Sequence, residues 1–429
     1  MTSASIQLYG KTVGAVSWDA TRRLAYFEYD PGFITSGIEI SPLNLPLRPG
    51  VFSFPGLNRR TFQGLPGLLS GALPGMPENL LIEKWQSQEE PPAVLPDPVE
   101  RLMSLGSRAM GALEFHPSRS PSHPAERLDL ATLVPWARES VSSQNSRENG
   151  STAPPPFPVA MSLRASSAAG AVRAMALISW HPESGEMWLP GANLPAGGEP
   201  WLLKFDGDAG LRNPDAADPA TSGRLELAYH LMARAAGIQV GVGRLLEARG
   251  RAHFITRRFD RLPDGGKLHV QSLSALAHVD FQDPGICSYE HAFQVARQLR
   301  LPHPDMTELF RRSVFNLVAR NQDDPPKNIA FLMDRHGTWR LAPAFNLTHV
   351  HNLWTNRHQM SLAGKRDGFT PADLHTAGLA ASLKPRQVRA VLDQVKQAVS
   401  TWPDFAETAG IPEPVILALR SGLRLHLIP

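Results

Sequence analysis

The chain has 429 residues, 42% of them hydrophobic, which is ordinary globular content but too long for one compact core, so two or three domains or lobes are predicted. The formal net charge is only +3, which permits contact with nucleic acid or an acidic partner without arguing for it. The one cysteine, Cys287, excludes a disulfide framework and a thiolate metal site and fits a reducing cytoplasm.

The N-terminus, "MTSASIQLYGKTVGAVSW", lacks a basic segment followed by an apolar run, so no signal peptide is expected. No run of about 18 apolar residues occurs, so no membrane span is expected either. The expectation is a cytoplasmic protein with no membrane partner. "SIQLYG", "KTVGAVSW" and "RRLAYFEYD" read as strands, from their β-branched and aromatic residues and the turn formers between them. From Pro42 to Pro77 the chain is too rich in Pro and Gly for long regular elements. "PENLLIEKWQSQ" and "PDPVERLMSLGSRAMGAL" read as helices with Pro near their starts. His116 to Pro158 is rich in Ser, Pro, Asn and Gly and reads as a linker, with a short helix allowed over Ala125–Arg138.

The pattern changes at Val159. "VRAMALISW", "GEMWLP", "EPWLLKFD", "GRLLEAR" and "AHFITRRF" are strand-like and surround one helix, "TSGRLELAYHLMARAAGI". There Leu225, Ala228, Leu231, Met232 and Ala235 recur at helical spacing, with Thr221 or Ser222 as cap and Gly237 as stop. After about Ser288 helices dominate. The division is therefore a β-rich subdomain at 1–115, a linker at 116–158, a β-rich lobe at 159–287 and a helical lobe at 288–429. Clefts between such lobes are common ligand sites.

The P-loop pattern, the GxGxxG dinucleotide fingerprint and the H-E-x-x-H zinc pair are all absent. A looser constellation remains. Small residues from Ala165 to Ala171 precede a strand and would let backbone N–H groups approach phosphate oxygens, although an ordinary small-residue turn reads the same. In "EPWLLKFDGD", Trp201, Leu203 and Phe205 point one way and Leu202 and Lys204 the other. An ammonium in so apolar a strand needs a partner. Glu226 on the following helix is a candidate, and the bland alternative is a Lys reaching to water. A strand Lys paired with a helix Glu is how protein kinases hold nucleotide phosphates. In "ARNQDDPPKNIAFLMD", Asp323 and Asn328 are five residues apart, the spacing of the catalytic base and the metal-binding amide in a kinase catalytic loop. "RHGT" is the turn of a hairpin that leads to Asn346, where a kinase carries a second metal-binding acid.

Taken in order over nearly the whole chain, "LYGKTVGAVSW", "PENLLIEKW", "SSAAGA", "WLLKF", "ELAYHLMARAAGI", "FITRRFDR", "KNIAFLMD" and "HQMSLAGKRDGFT" resemble a HipA-type serine/threonine kinase, the toxin of a bacterial type II toxin–antitoxin pair. The resemblance implies an α+β, two-lobed, protein-kinase-like fold with a β-rich N-terminal lobe, an extra N-terminal β subdomain and a helical C-terminal lobe. It implies ATP and Mg²⁺. It implies Asp323 as base, Asn328 and Asn346 as metal ligands, and a nucleotide site at Ser167, Ala168, Ala169, Gly170, Ala171, Lys204, Arg257 and Phe259. It also implies autophosphorylation of Ser167, a protein substrate of translation-factor or aminoacyl-tRNA-synthetase type, and a helix-turn-helix antitoxin (HipB-like) through which any operator DNA would be met. Three positions depart from the family pattern: Pro325 replaces a His, Asn346 an Asp, and Ala174 a Lys. A neutral amide holds a hard cation less well than a carboxylate. The chain is thus expected to be either a kinase toxin impaired at Asn346 or an inactive pseudokinase scaffold.

Overall fold

A computed structural model describes residues 2–73, 96–119, 127–142, 163–168, 171–190, 197–206, 221–351 and 356–429, with the backbone alone at 138–142, 163–168 and 171–173. Period-2 alternation builds the first sheet. Ala4, Ile6 and Leu8 of β1 (Thr2–Leu8) are buried, as are Val13, Val16 and Trp18 of β2 (Lys11–Asp19) and Phe27 and Tyr29 of β3 (Leu24–Tyr29). With β4 (Val51–Phe52) and β5 (Leu113–His116) they form an antiparallel sheet in the order β4-β3-β2-β1-β5. Helix α1 (Pro98–Leu105) packs beside it. Asp97 caps α1 through the N–H groups of Val99 and Glu100, and Glu100 returns a bond to the Asp97 N–H. Among its described residues the Pro42–Pro77 stretch holds β4 and single helical turns at Arg59–Phe62 and Gly67–Ser70. The helix expected over "PENLLIEKWQSQ" lies outside the described residues.

The second sheet carries β6 (Arg127–Leu128), β7 (Leu163–Ala168), β8 (Ala171–Trp180), β9 (Met187–Trp188), β10 (Glu199–Lys204), β11 (Gly243–Ala248) and β12 (Arg251–Arg257). Its order is β11-β12-β10-β8-β9-β6, with β7 paired to β8. Within 116–158, which reads in sequence as a linker with a short helix allowed over Ala125–Arg138, β6 joins this sheet and α2 (Leu130–Ser142) follows it. Leu133, Val134 and Ala137 put one face of α2 into a core with Ala176, Ile178, Trp180, Trp201 and Leu203. The Pro- and Ser-rich flanks concealed that apolar face, and Pro135 sits inside the helix.

A helix and a small sheet complete the framework. Helix α3 (Ser222–Ala235) ends at Gly237, whose φ of +79° favours glycine. The third sheet is β13 (His269–Ser272), β14 (Ala330–Met333) and β15 (Trp339–Leu341), in the order β13-β14-β15. Helices α4 (Tyr289–Gln298), α5 (His303–Val318), α6 (Pro371–Ala380), α7 (Pro385–Ser400), α8 (Trp402–Thr408) and α9 (Glu413–Gly422) make the rest. No helix of the described residues is long and apolar enough to cross a membrane.

Burial divides the apolar residues into two cores. One runs from the first sheet through α3 and the C-terminal helices, and the other lies under the second sheet. The N-terminal sheet is thus fused to the helical lobe. The Tyr9 hydroxyl donates to the Met333 carbonyl at 2.7 Å and Trp339 Nε1 donates to the Glu39 carbonyl at 3.2 Å. Gly67 lies so close to the Ala275 carbonyl that a Cβ would sit 2.0 Å from its oxygen. After β12, fully buried Asp260 is gripped by Arg258 (2.6 Å) and Arg261 (2.7 Å) and accepts the Gly111 N–H at 2.7 Å. Both arginines also donate to the Ala109 carbonyl. Burial alone would raise the Asp260 carboxyl, but the two guanidinium groups outweigh it and hold it below the usual range.

Removing one charge from such a cluster strands the others. Asp260→Asn is expected to lower stability by about 3–5 kcal/mol, read as a lower midpoint in urea, with faster protease cleavage near residues 109–111.

Candidate active site

The site starts at the end of β10. Trp201, Leu203 and Phe205 enter the core of the second sheet, which turns Lys204 to the opposite face. The next acid, Asp206, is almost fully buried. It accepts from the Ser222 hydroxyl and from the Gly223 N–H (3.1 Å), so it caps α3 from a distant strand. Thr221, at the N-cap position, makes no side-chain cap bond. The His253 ring in turn accepts the Asp206 N–H at 2.8 Å. This cap fixes the start of α3 beside β10 and sets Glu226 one turn inside the helix. The middle of α3 is anchored by the Tyr229 hydroxyl, which donates to the Ala319 carbonyl at 2.6 Å.

Lys204 and Glu226 form a buried ion pair. Lys204 Nζ also donates to Asn346 Oδ1 at 2.6 Å. Asn346 Nδ2 donates to Asn328 Oδ1 at 3.0 Å, and Asn328 Nδ2 donates to the Asp323 carbonyl at 3.1 Å. Glu226, Lys204, Asn346, Asn328 and Asp323 are therefore one connected polar chain, and it links the lobe of the second sheet to the helical lobe.

Local backbone explains why Asn346 and Asp323 meet. Residues 321–323 leave α5 in an irregular loop. Asn321 forms a parallel bridge with Val350, and Gln322 N donates to the Val350 carbonyl at 3.2 Å. Pro325 is extended, Pro326 opens a single 3₁₀ turn, and the Asn328 N–H closes on the Pro325 carbonyl at 2.9 Å. A residue without an N–H is well suited to that corner. The β14–β15 hairpin then returns the chain to Asn346, whose φ of +55° is the left-handed region that Asn and Asp tolerate best among side-chain-bearing residues.

The two adjacent acids have different roles. Asp324 is saturated. It accepts from the Tyr289 hydroxyl (2.7 Å), His358 Nδ1 (2.8 Å) and the Gln359 N–H (2.7 Å), which ties the loop to α4 and to the segment after Asn346. Among the described residues none donates a hydrogen bond to the Asp323 carboxylate. Burial pushes its pKa up to about 6, against the lowering pull of Lys327 and Lys204 and with a further push from Asp324. A buried acid raised toward neutrality is suited to proton transfer.

The remaining expected residues fall as follows. Ser167 and Ala168 end β7 and Ala171 begins β8, in a tight hairpin with Ser167 opposite Val172 and Ala168 opposite Ala171. Ala169 and Gly170 lie outside the described residues. Phe259 brings its ring to Phe345, centroids 5.8 Å apart, next to Asn346. Arg257 is not brought into the chain; it pairs with Glu199 at 3.3 Å, opposite Trp201 on the sheet. Asp206, Asp324 and Tyr289 are supporting residues that sequence reasoning missed. The adjacency of two acids at 323–324 was a usable signal for Asp324, whereas nothing local marked Asp206 as a cap.

Comparison with known proteins identifies the family and the fold. Residues 4–116 match the family profile of the HipA N-terminal domain, and residues 166–402 match that of the HipA-like C-terminal domain. The second match alone spans more than half of the chain. Comparison with curated protein sequences gives no match. Among solved structures, the chain is similar to one in the HipA, HipB and operator DNA complex of the Shewanella oneidensis MR-1 toxin–antitoxin system. The TM-score is 0.67 at 15% identity, over 99% of this chain and 96% of that one. The proinflammatory kinase CtkA of Helicobacter pylori is a far weaker likeness, with a TM-score of 0.29 at 10% identity over 52% of this chain and 90% of that one. The fold is thus α+β, two-lobed and HipA-like, with an N-terminal β subdomain. Two consecutive family profiles and a full-length structural likeness lead to one conclusion: the chain belongs to the HipA family.

Proposed function

We propose that this protein is the toxin of a toxin–antitoxin pair, a HipA-type serine/threonine kinase whose phosphoryl transfer is impaired at Asn346. The observation that carries the reading is the connected chain of Glu226, Lys204, Asn346, Asn328 and Asp323 across the two lobes. In this reading ATP is the phosphoryl donor. Lys204, oriented by Glu226, meets its phosphates, and the small-residue segment Ser167 to Ala171 offers them backbone N–H groups. Phe259 lies against the same end of the cleft. Asp323 accepts the proton of an attacking serine hydroxyl, either on a protein substrate of translation-factor or aminoacyl-tRNA-synthetase type or on Ser167 itself. The Shewanella relative, solved with HipB and operator DNA, supports a helix-turn-helix antitoxin as partner, with DNA contacted through it.

The residues present fit Mg²⁺ poorly. Asn328 and Asn346 bring no charge, and each side-chain oxygen already accepts a hydrogen bond. Among the described residues no group of three or more His, Cys, Asp or Glu gathers to hold a metal. This observation favours a second reading, in which the cleft binds nucleotide and the protein serves as an antitoxin-binding scaffold with little transfer.

Labelled ATP decides between them. Asn346→Asp supplies the missing carboxylate and is expected to raise label incorporation, including at Ser167, by at least about 100-fold over the unsubstituted protein. Equal, substantial labelling of both would show that Asn346 does not impair transfer, and label on neither would remove the kinase reading. The pH profile tests the base. Asp323 must be ionised to accept a proton, so single-turnover transfer by Asn346→Asp should fall about tenfold per pH unit below a midpoint of about 6. A rate flat between pH 5 and 8 would exclude Asp323 as the base.

A further inference from the structure

We propose that in this cleft an amide-to-amide hydrogen bond takes the place of a divalent cation, so that the protein binds the polyphosphate of a nucleotide without Mg²⁺. The proposal rests on the nucleotide-binding reading above and concerns how that site is charged.

Hydrogen-bond polarity sets the arrangement of the two amides. An ammonium can only donate and a backbone carbonyl can only accept. Lys204 therefore fixes the oxygen of Asn346 toward itself, at 2.6 Å, and leaves the Asn346 NH₂ facing Asn328. At the far end the Asp323 carbonyl fixes the NH₂ of Asn328 toward itself, at 3.1 Å, and leaves the Asn328 oxygen facing Asn346. The two inner groups are then a donor and an acceptor 3.0 Å apart. Both amide orientations are dictated from the ends, and they agree in the middle.

A carboxylate at 346 breaks this agreement. Its oxygen would confront the Asn328 oxygen, acceptor against acceptor. Rotating the Asn328 amide would relieve that contact and set its oxygen against the Asp323 carbonyl instead. Either way two acceptors face each other with no proton between them, a costly arrangement in a largely buried site. A cation between them resolves the conflict, and a site of that kind is incomplete until metal binds. With Asn at 346 the conflict does not arise. A divalent cation would have to break both the Lys204–Asn346 and Asn346–Asn328 bonds and would gain two neutral oxygens in return. The positive charges near this junction are then the ammonium groups of Lys204 and Lys327.

The test is ATP binding by the full-length protein, measured by titration calorimetry in magnesium chloride and again in EDTA. The unsubstituted protein should bind ATP with dissociation constants within about twofold of each other in the two buffers, and Asn346→Asp should lose at least about tenfold when magnesium is removed. Affinity of the unsubstituted protein that falls about tenfold or more in EDTA would overturn this inference and leave the nucleotide-binding reading standing. No binding in either buffer would overturn both. The comparison on the unsubstituted protein decides the matter even if Asn346→Asp folds poorly.

Discussion

A buried ammonium organises this molecule. Lys204 sits in an apolar strand with its charge directed away from the sheet core, and the groups that satisfy it include Glu226 on α3 and Asn346 in the helical lobe. An unpaired charge at that depth would be prohibitively costly, so the second sheet has to dock where both partners are within reach. The supporting bonds secure that position. Asp206 holds the start of α3, Tyr229 holds its middle to the end of α5, and the bridge of Asn321 to Val350 holds the segment that presents Asn346. The cleft is therefore defined by charge satisfaction between two independent apolar cores.

The N-terminal sheet has a different role. It shares its core with the helical lobe and contacts the stretch after β12 through the Arg258–Asp260–Arg261 cluster. The stretch after β12 is thereby held against a body that includes the loop of Asp323 and Asn328. Asp324 does the same inside the loop, with both carboxylate oxygens committed to Tyr289, His358 and Gln359. Among the described residues none donates a hydrogen bond to the carboxylate of its neighbour, Asp323.

What the sequence revealed and what it concealed follow from the range of the interactions. Lys204 was legible because a charge in an apolar period-2 strand demands a partner, and the spacing of Asp323 and Asn328 was legible because both lie in one loop. Alternation marked the first three strands, and 3.6-residue periodicity marked α3. Asp206 was not legible as a cap, since its partners Ser222 and Gly223 are more than a dozen residues away. The apolar face of α2 was masked by its Pro- and Ser-rich surroundings. Arg257 was placed near the nucleotide by resemblance alone, whereas its guanidinium is paired with Glu199. Pro325, an odd residue in sequence, proves an ordinary one in geometry, extended and followed by a 3₁₀ turn. Asn346 is the substantive departure, because its amide completes a bond with Asn328 that a carboxylate could not.

Diffraction from crystals of the unsubstituted protein grown with a non-hydrolysable ATP analogue and Mn²⁺ tests this most directly, since manganese is located by its anomalous signal. The account predicts nucleotide phosphates beside Lys204 with the Asn346–Asn328 hydrogen bond intact and no manganese peak coordinated by those two amides. A manganese ion held by Asn328 and Asn346, with that hydrogen bond broken, would contradict it.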